Sequence, residues 1–128
     1  MLVSIKMGEL DTTGVWAKFS DGVEFRIARA GNPNFQKASD KMEAPYRKQI
    51  ARGKLPTGKQ VELQCAAMAE GILLDWKGLA TEEGELLYSK ENAAAVLRYN
   101  SEIREFVFEF ATDQENFRTE MVEDTAKK

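Results

Sequence analysis

Leu74-Asp75-Trp76-Lys77-Gly78 and, eleven residues after Lys77, Tyr88-Ser89-Lys90-Glu91-Asn92 frame the stretch whose reading decides the fold. Between them run Thr81-Glu82-Glu83-Gly84 and Leu86-Leu87, and Ala93-Ala94-Ala95 follows. The segment has an aromatic residue at each end, a glycine turn in the middle and a Ser89 helix cap at its exit. It reads as a compact connector between two helices, and none of its side chains suits bond-making chemistry. The architecture it predicts is one that works by binding.

On its N-terminal side the best-defined helix starts near Thr57, taken as its cap. Val61, Cys65, Met68 and Ile72 follow at spacings of 4, 3 and 4, and the helix is expected to end near Trp76-Lys77-Gly78. Leu63, Ala66, Ala67 and Leu73 widen its apolar surface, which places it centrally. On the C-terminal side Ser89 starts a helix to about Tyr99, and Asn100-Ser101 opens another. There Ile103, Phe106, Val107 and Phe110 form an apolar stripe, with a break near Thr112-Asp113.

Further out, Val15-Trp16-Ala17-Lys18-Phe19, Ser20-Asp21-Gly22 and Val23 to Ala28 read as a β-hairpin, because glycine accepts the positive φ of the turn. Val23, Phe25 and Ile27 share one face; Glu24 and Arg26 take the other. Two or three strands are not stable alone, so this face is expected on helices. A weak alternation of Val3, Ile5 and Met7 allows a further short strand, and Gly8 to Gly14 reads as a loop. Asn32 caps a helix beginning at Pro33, interrupted at Pro45, with a helical piece from Tyr46 to Arg52. The predicted fold class is mainly α: four to five helices with a small N-terminal β-hairpin or three-stranded β element. One domain over residues 1–128 is expected, with 1–13 and 122–128 loosely attached.

The chain has 128 residues, length enough for one core. No apolar run approaches the ~18 residues of a membrane span, and the N-terminus lacks a signal-peptide apolar region. The lone Cys65 cannot form an internal disulfide, so a reducing cytoplasm is expected. The net charge of −3 is unevenly spread: residues 1–60 hold 11 Lys/Arg and 6 Asp/Glu, residues 61–128 hold 7 and 15. That asymmetry fits a basic surface for nucleic acid, complementary ends through which copies meet, or two ordinary solvated faces.

There is no histidine, which removes the commonest general base and metal ligand. Cys65 sits at a core-facing helical position, where a buried thiol is inert. The acidic clusters Glu82-Glu83-Glu85 and Glu120, Glu123, Asp124 lack calcium-loop spacing. No glycine pattern matches a phosphate-binding loop. No catalytic residue, no cofactor and no metal site is expected, and the protein is read as no enzyme. Lys37, Lys41, Arg47, Lys48, Arg52, Lys54 and Lys59 crowd one region that could hold phosphates, against a sequence pI near 5.1. Among the many aromatic residues, Trp76 and Tyr88 beside the connector and Phe117 near the terminus are the candidate partner-binding residues.

Taken in order, these segments resemble the tail assembly chaperones of long-tailed, siphovirus-type bacteriophages. The resemblance rests on Gly14-Val15-Trp16, on Phe25 to Phe35, on Leu74 to Gly78, on Gly84 with Tyr88 to Asn92, and on Phe106 to Ala111 preceding Phe117. It spans residues 14 to about 118. It implies a mainly helical, non-enzymatic phage or prophage protein of the host cytoplasm that is absent from the mature virion. Its implied partner is the tape measure protein, kept soluble until tail tube subunits polymerise around it. Self-association, in some relatives as a spiral, is also implied. So is a longer form made by ribosomal frameshifting, through which tail tube protein is recruited; the codons of Lys127-Lys128 decide whether a slippery site exists here. The alternative reading is a small phage nucleic-acid-binding or DNA-packaging accessory protein using the basic 37–59 region.

Overall fold

The computed structural model describes residues 8–118. The strand expected around Val3 to Met7 and the tail from residue 122 lie outside them. In chain order the elements are α1 (Glu9–Thr13), β1 (Val15–Ser20), β2 (Val23–Ile27), α2 (Pro33–Glu43), a 3-10 turn (Ala44–Tyr46) and α3 (Arg47–Ala51). Then come α4 (Thr57–Gly71), β3 (Leu73–Lys77), β4 (Ala80–Thr81), β5 (Gly84–Glu85), α5 (Lys90–Tyr99), α6 (Ser101–Thr112) and a 3-10 turn (Gln114–Phe117).

The molecule is α+β, which corrects the expected mainly α class. The expected β element was confined to the N-terminus. Here an antiparallel sheet of order β1-β2-β3 takes its third strand from mid-chain, and β4 and β5 add a small hairpin. The helix expected to run to Trp76 stops at Gly71, and Leu73–Lys77 pairs with β2 instead. Two smaller corrections accompany it. Residues 9–13 are a helical turn, not a loop, held by Asp11, whose Oδ2 accepts from the Gly8 N–H at 2.8 Å. Pro56, not Thr57, occupies the cap position of α4.

A bulge makes β3 serve the core. Arg26 and Ile27 of β2 face Asp75 and Leu73, which leaves Leu74 as the extra residue. The alternation therefore shifts by one, and Leu73 and Trp76, three apart, both point inward. The inner sheet face presents Ala17, Phe25, Ile27, Leu73 and Trp76 to Met68 and Ile72 of the α4 end, Leu97 of α5 and Val107 of α6. α2 packs along α4 on the far side.

Two glycines permit close approaches. A Cβ on Gly71 would sit 2.5 Å from the Phe35 Cα, so α2 crosses α4 at backbone contact. Gly78 has φ +82°, and a Cβ there would fall on the Gly22 carbonyl of the β1–β2 turn. Cys65 is buried in the core, and burial pushes its thiol pKa up, opposed by Arg104 and Arg98. No helix among the described residues is long and apolar enough to cross a membrane.

Candidate binding groove

α2 is amphipathic, and Phe35, Ser39 and Glu43 recur every four residues along one side of it. That side faces a groove of about 520 Å³ which also receives Ile50 of α3, Leu55 of the following loop, Leu63 of α4 and Phe108 of α6. The size is that of a binding cleft, and its lining mixes the apolar Phe35, Ile50, Leu55, Leu63 and Phe108 with the polar Ser39, Glu43, Gln60 and Gln64. Leu55 is buried and Phe35 and Leu63 are half-buried, forming a floor. Ile50 and Phe108 stand 41 % and 37 % exposed; α6 turns Val107 and Ala111 into the core, while α3 buries none of its residues. The groove can hold an apolar helix face, with roughly 0.8 kcal/mol gained per methylene covered.

Neither rim residue is among the partner-binding candidates the sequence offers. The available signals were an isoleucine inside the basic run Arg47-Lys48-Gln49-Ile50-Ala51-Arg52 and a phenylalanine two residues off the Phe106/Phe110 stripe.

The structure brings two of the three sequence-derived candidates together. Trp76 and Tyr88 meet edge to face with centroids 5.0 Å apart and border a second depression of about 450 Å³. The Trp76 indole N–H donates to the Leu86 carbonyl at 2.8 Å, and the Tyr88 hydroxyl donates to the Leu73 carbonyl at 2.7 Å. The connector is thereby folded down over β3. Burial, then the charges of Asp75 and Glu70, raise the Tyr88 pKa. Phe117 stands apart from these two; it is buried and lies edge-on to Phe110 at 5.7 Å. Trp76 is 6 % exposed.

The basic region runs along α2 and α3 into the loop before α4. Lys37, Lys41, Arg47, Lys48, Arg52 and Lys54 are exposed. Among the described residues, none of the six has a carboxylate within ion-pair distance. Lys59 differs: it sits 5.0 Å from the Tyr46 ring centroid and 3.1 Å from Glu62. The Tyr46 side chain, then Glu62, raise the Lys59 pKa, while Lys59 lowers that of Glu62. Among the described residues no three His, Cys, Asp or Glu side chains form a metal-holding group.

No curated protein and no solved structure matches the chain. Residues 30–128, from the loop before α2 through the groove and both C-terminal helices, match the family model described as YdaY prophage protein. That match covers well over half of the sequence, so the chain belongs to the YdaY prophage protein family.

Proposed function

We propose that this prophage protein is a tail assembly chaperone that binds the tape measure protein and helps recruit tail tube subunits, acting in the host cytoplasm through non-covalent contacts alone. The observation carrying the reading is the groove, whose rim gathers Ile50 and Phe108, while the other exposed large hydrophobic side chains among the described residues, Trp16, Leu87 and Tyr99, do not line it. A tape measure protein exposes long apolar helical surface, which aggregates when uncovered. A groove that accepts one helix face at a time covers such a surface reversibly.

Co-expression tests it. With the tape measure protein of the same prophage, the wild-type chain should keep that protein in the soluble fraction. The double variant Ile50→Asp/Phe108→Asp should fail to do so while remaining folded, with its melting temperature lowered by only several degrees. Equal solubility with wild type, with the variant, or with neither would overturn the proposal.

The six exposed cations of α2, α3 and the loop that follows, unpaired among the described residues, favour a second reading, a nucleic-acid-binding accessory role. Its mark would be duplex DNA binding that weakens steeply with salt and with loss of Lys41, Arg47 and Lys48.

A further inference from the structure

We propose that the groove selects an amphipathic helix whose apolar stripe is bordered by carboxylates along one side and by cations along the other. This rests on the groove being the binding surface. The outward flanks of its two exposed rims carry opposite charge, the half-buried Arg104 one turn before Phe108 being turned to the Leu97 and Arg98 carbonyls. On α6, Glu105 and Glu109 stand three residues before and one residue after Phe108, on the flank away from the Val107 and Ala111 core side. Glu102 continues that flank one turn earlier. At the α3 rim Arg47 lies three residues before Ile50, on the same face, and Lys54 sits between the lining residues Gly53 and Leu55.

All five charged groups are exposed, and none is ion-paired among the described residues. Glu43 is the one charged residue of the lining itself, and Arg47 with Lys54 outweighs it at that end. None of the five lines the groove itself; a helix lying between the rims would pass the Glu102, Glu105 and Glu109 flank of α6 on one border and Arg47 and Lys54 on the other. A helix with borders of a single sign meets repulsion on one side wherever it docks. Like charges brought together at an interface are a means of rejecting wrong partners.

The test uses three synthetic helical peptides of about five turns. They share one leucine stripe and differ in their borders: one acidic and one basic, both acidic, or both basic. Fluorescence anisotropy at low salt should show the mixed peptide binding about tenfold tighter than either other, since exposed ion pairs are individually weak but several act together. That preference should vanish in about 1 M salt, where the screening length falls to ~3 Å. The charge reversal Arg47→Glu/Lys54→Glu should make the all-basic peptide the tightest of the three.

Equal binding of all three to the wild type, still lost in Ile50→Asp, would overturn the border preference and leave the groove standing. Binding that ignores Ile50→Asp, or no binding at all, would overturn both. Circular dichroism of each variant identifies a folding failure, and the exposed Lys54→Glu change alone supplies the same test with the least risk to α3.

Discussion

Asn32 has no exposed surface and uses both ends of its amide. Its Oδ1 accepts from the Phe35 N–H at 3.0 Å, capping α2, while its Nδ2 donates to the carbonyls of Arg29 and, at 2.8 Å, Gly71. The cap follows from Asn-Pro at a helix start; the tie to the end of α4, 39 residues away, does not. Asn32→Ala should lower stability by about 2–4 kcal/mol, combining a lost cap with a buried carbonyl left without its donor. Asn32→Asp keeps the cap oxygen but sets an acceptor against the Gly71 carbonyl, and should do no better. Urea unfolding midpoints check both.

Tyr88 gives a pH-dependent counterpart. Its neutral hydroxyl donates to Leu73, and its folded pKa is raised above the ordinary 10.0. The unfolded chain therefore releases this proton first. The stabilisation is complete below pH 10 and is lost as pH rises through the folded value. Tyr88→Phe should cost about 1 kcal/mol at neutral pH, and the gap between variant and wild type should narrow above pH ~10. A gap that stays constant across that window would show that the hydroxyl does not make this bond.

Among the elements, β3 divides what local sequence can say from what it cannot. The starts of α2 and α5 are marked by Asn32-Pro33 and by Ser89, and the Ile103 to Phe110 stripe marks α6; each signal lies within a turn or two of the helix it predicts. Ile72-Leu73-Leu74-Asp75-Trp76 continues the apolar spacing of α4 and looks like its last turn. What makes it a strand is pairing with β2, nearly fifty residues earlier, through a bulge that rephases its side chains. A short apolar run is ambiguous between the two states, and long-range pairing decides it. Gly71, at the switch, was the local hint.

Gly71 also sets the α2–α4 spacing. Gly71→Ala would place a methyl group 2.5 Å from the Phe35 Cα and backbone N, which cannot swing aside as a side chain can. A loss of about 1–3 kcal/mol is expected despite alanine's better helix propensity. Gly58→Ala, near the open N-terminal end of α4 with nothing within 4 Å, should instead gain up to about 1 kcal/mol. Opposite signs in the two melting temperatures would locate the effect in packing.

At the scale of the whole molecule, large side chains divide between those that hold the domain together and those left at its surface. The sequence shows that the chain is rich in aromatic residues but not which of them remain uncovered. The groove joins residues of α2, α4 and the loop before α4 with a single side chain each from α3 and α6, and none stands out on its own segment. Trp76 flanks the connector that carries the glycine turn, and that connector folds back onto it through Leu86 and Tyr88. Its ring also meets Phe25 edge-on at 6.5 Å.

Trp76→Ala should therefore cost about 3–5 kcal/mol, from a cavity beneath the connector and an orphaned Leu86 carbonyl. Any loss of partner binding should track the unfolded fraction. Phe108→Ala removes a ring more than a third exposed, so its stability cost should stay near 1 kcal/mol while helical-peptide binding falls about tenfold or more. Thermal melts and anisotropy titrations on both variants make the separation. If Phe108→Ala leaves binding intact while Trp76→Ala, still fully folded, abolishes it, the recognition surface is the connector and not the groove.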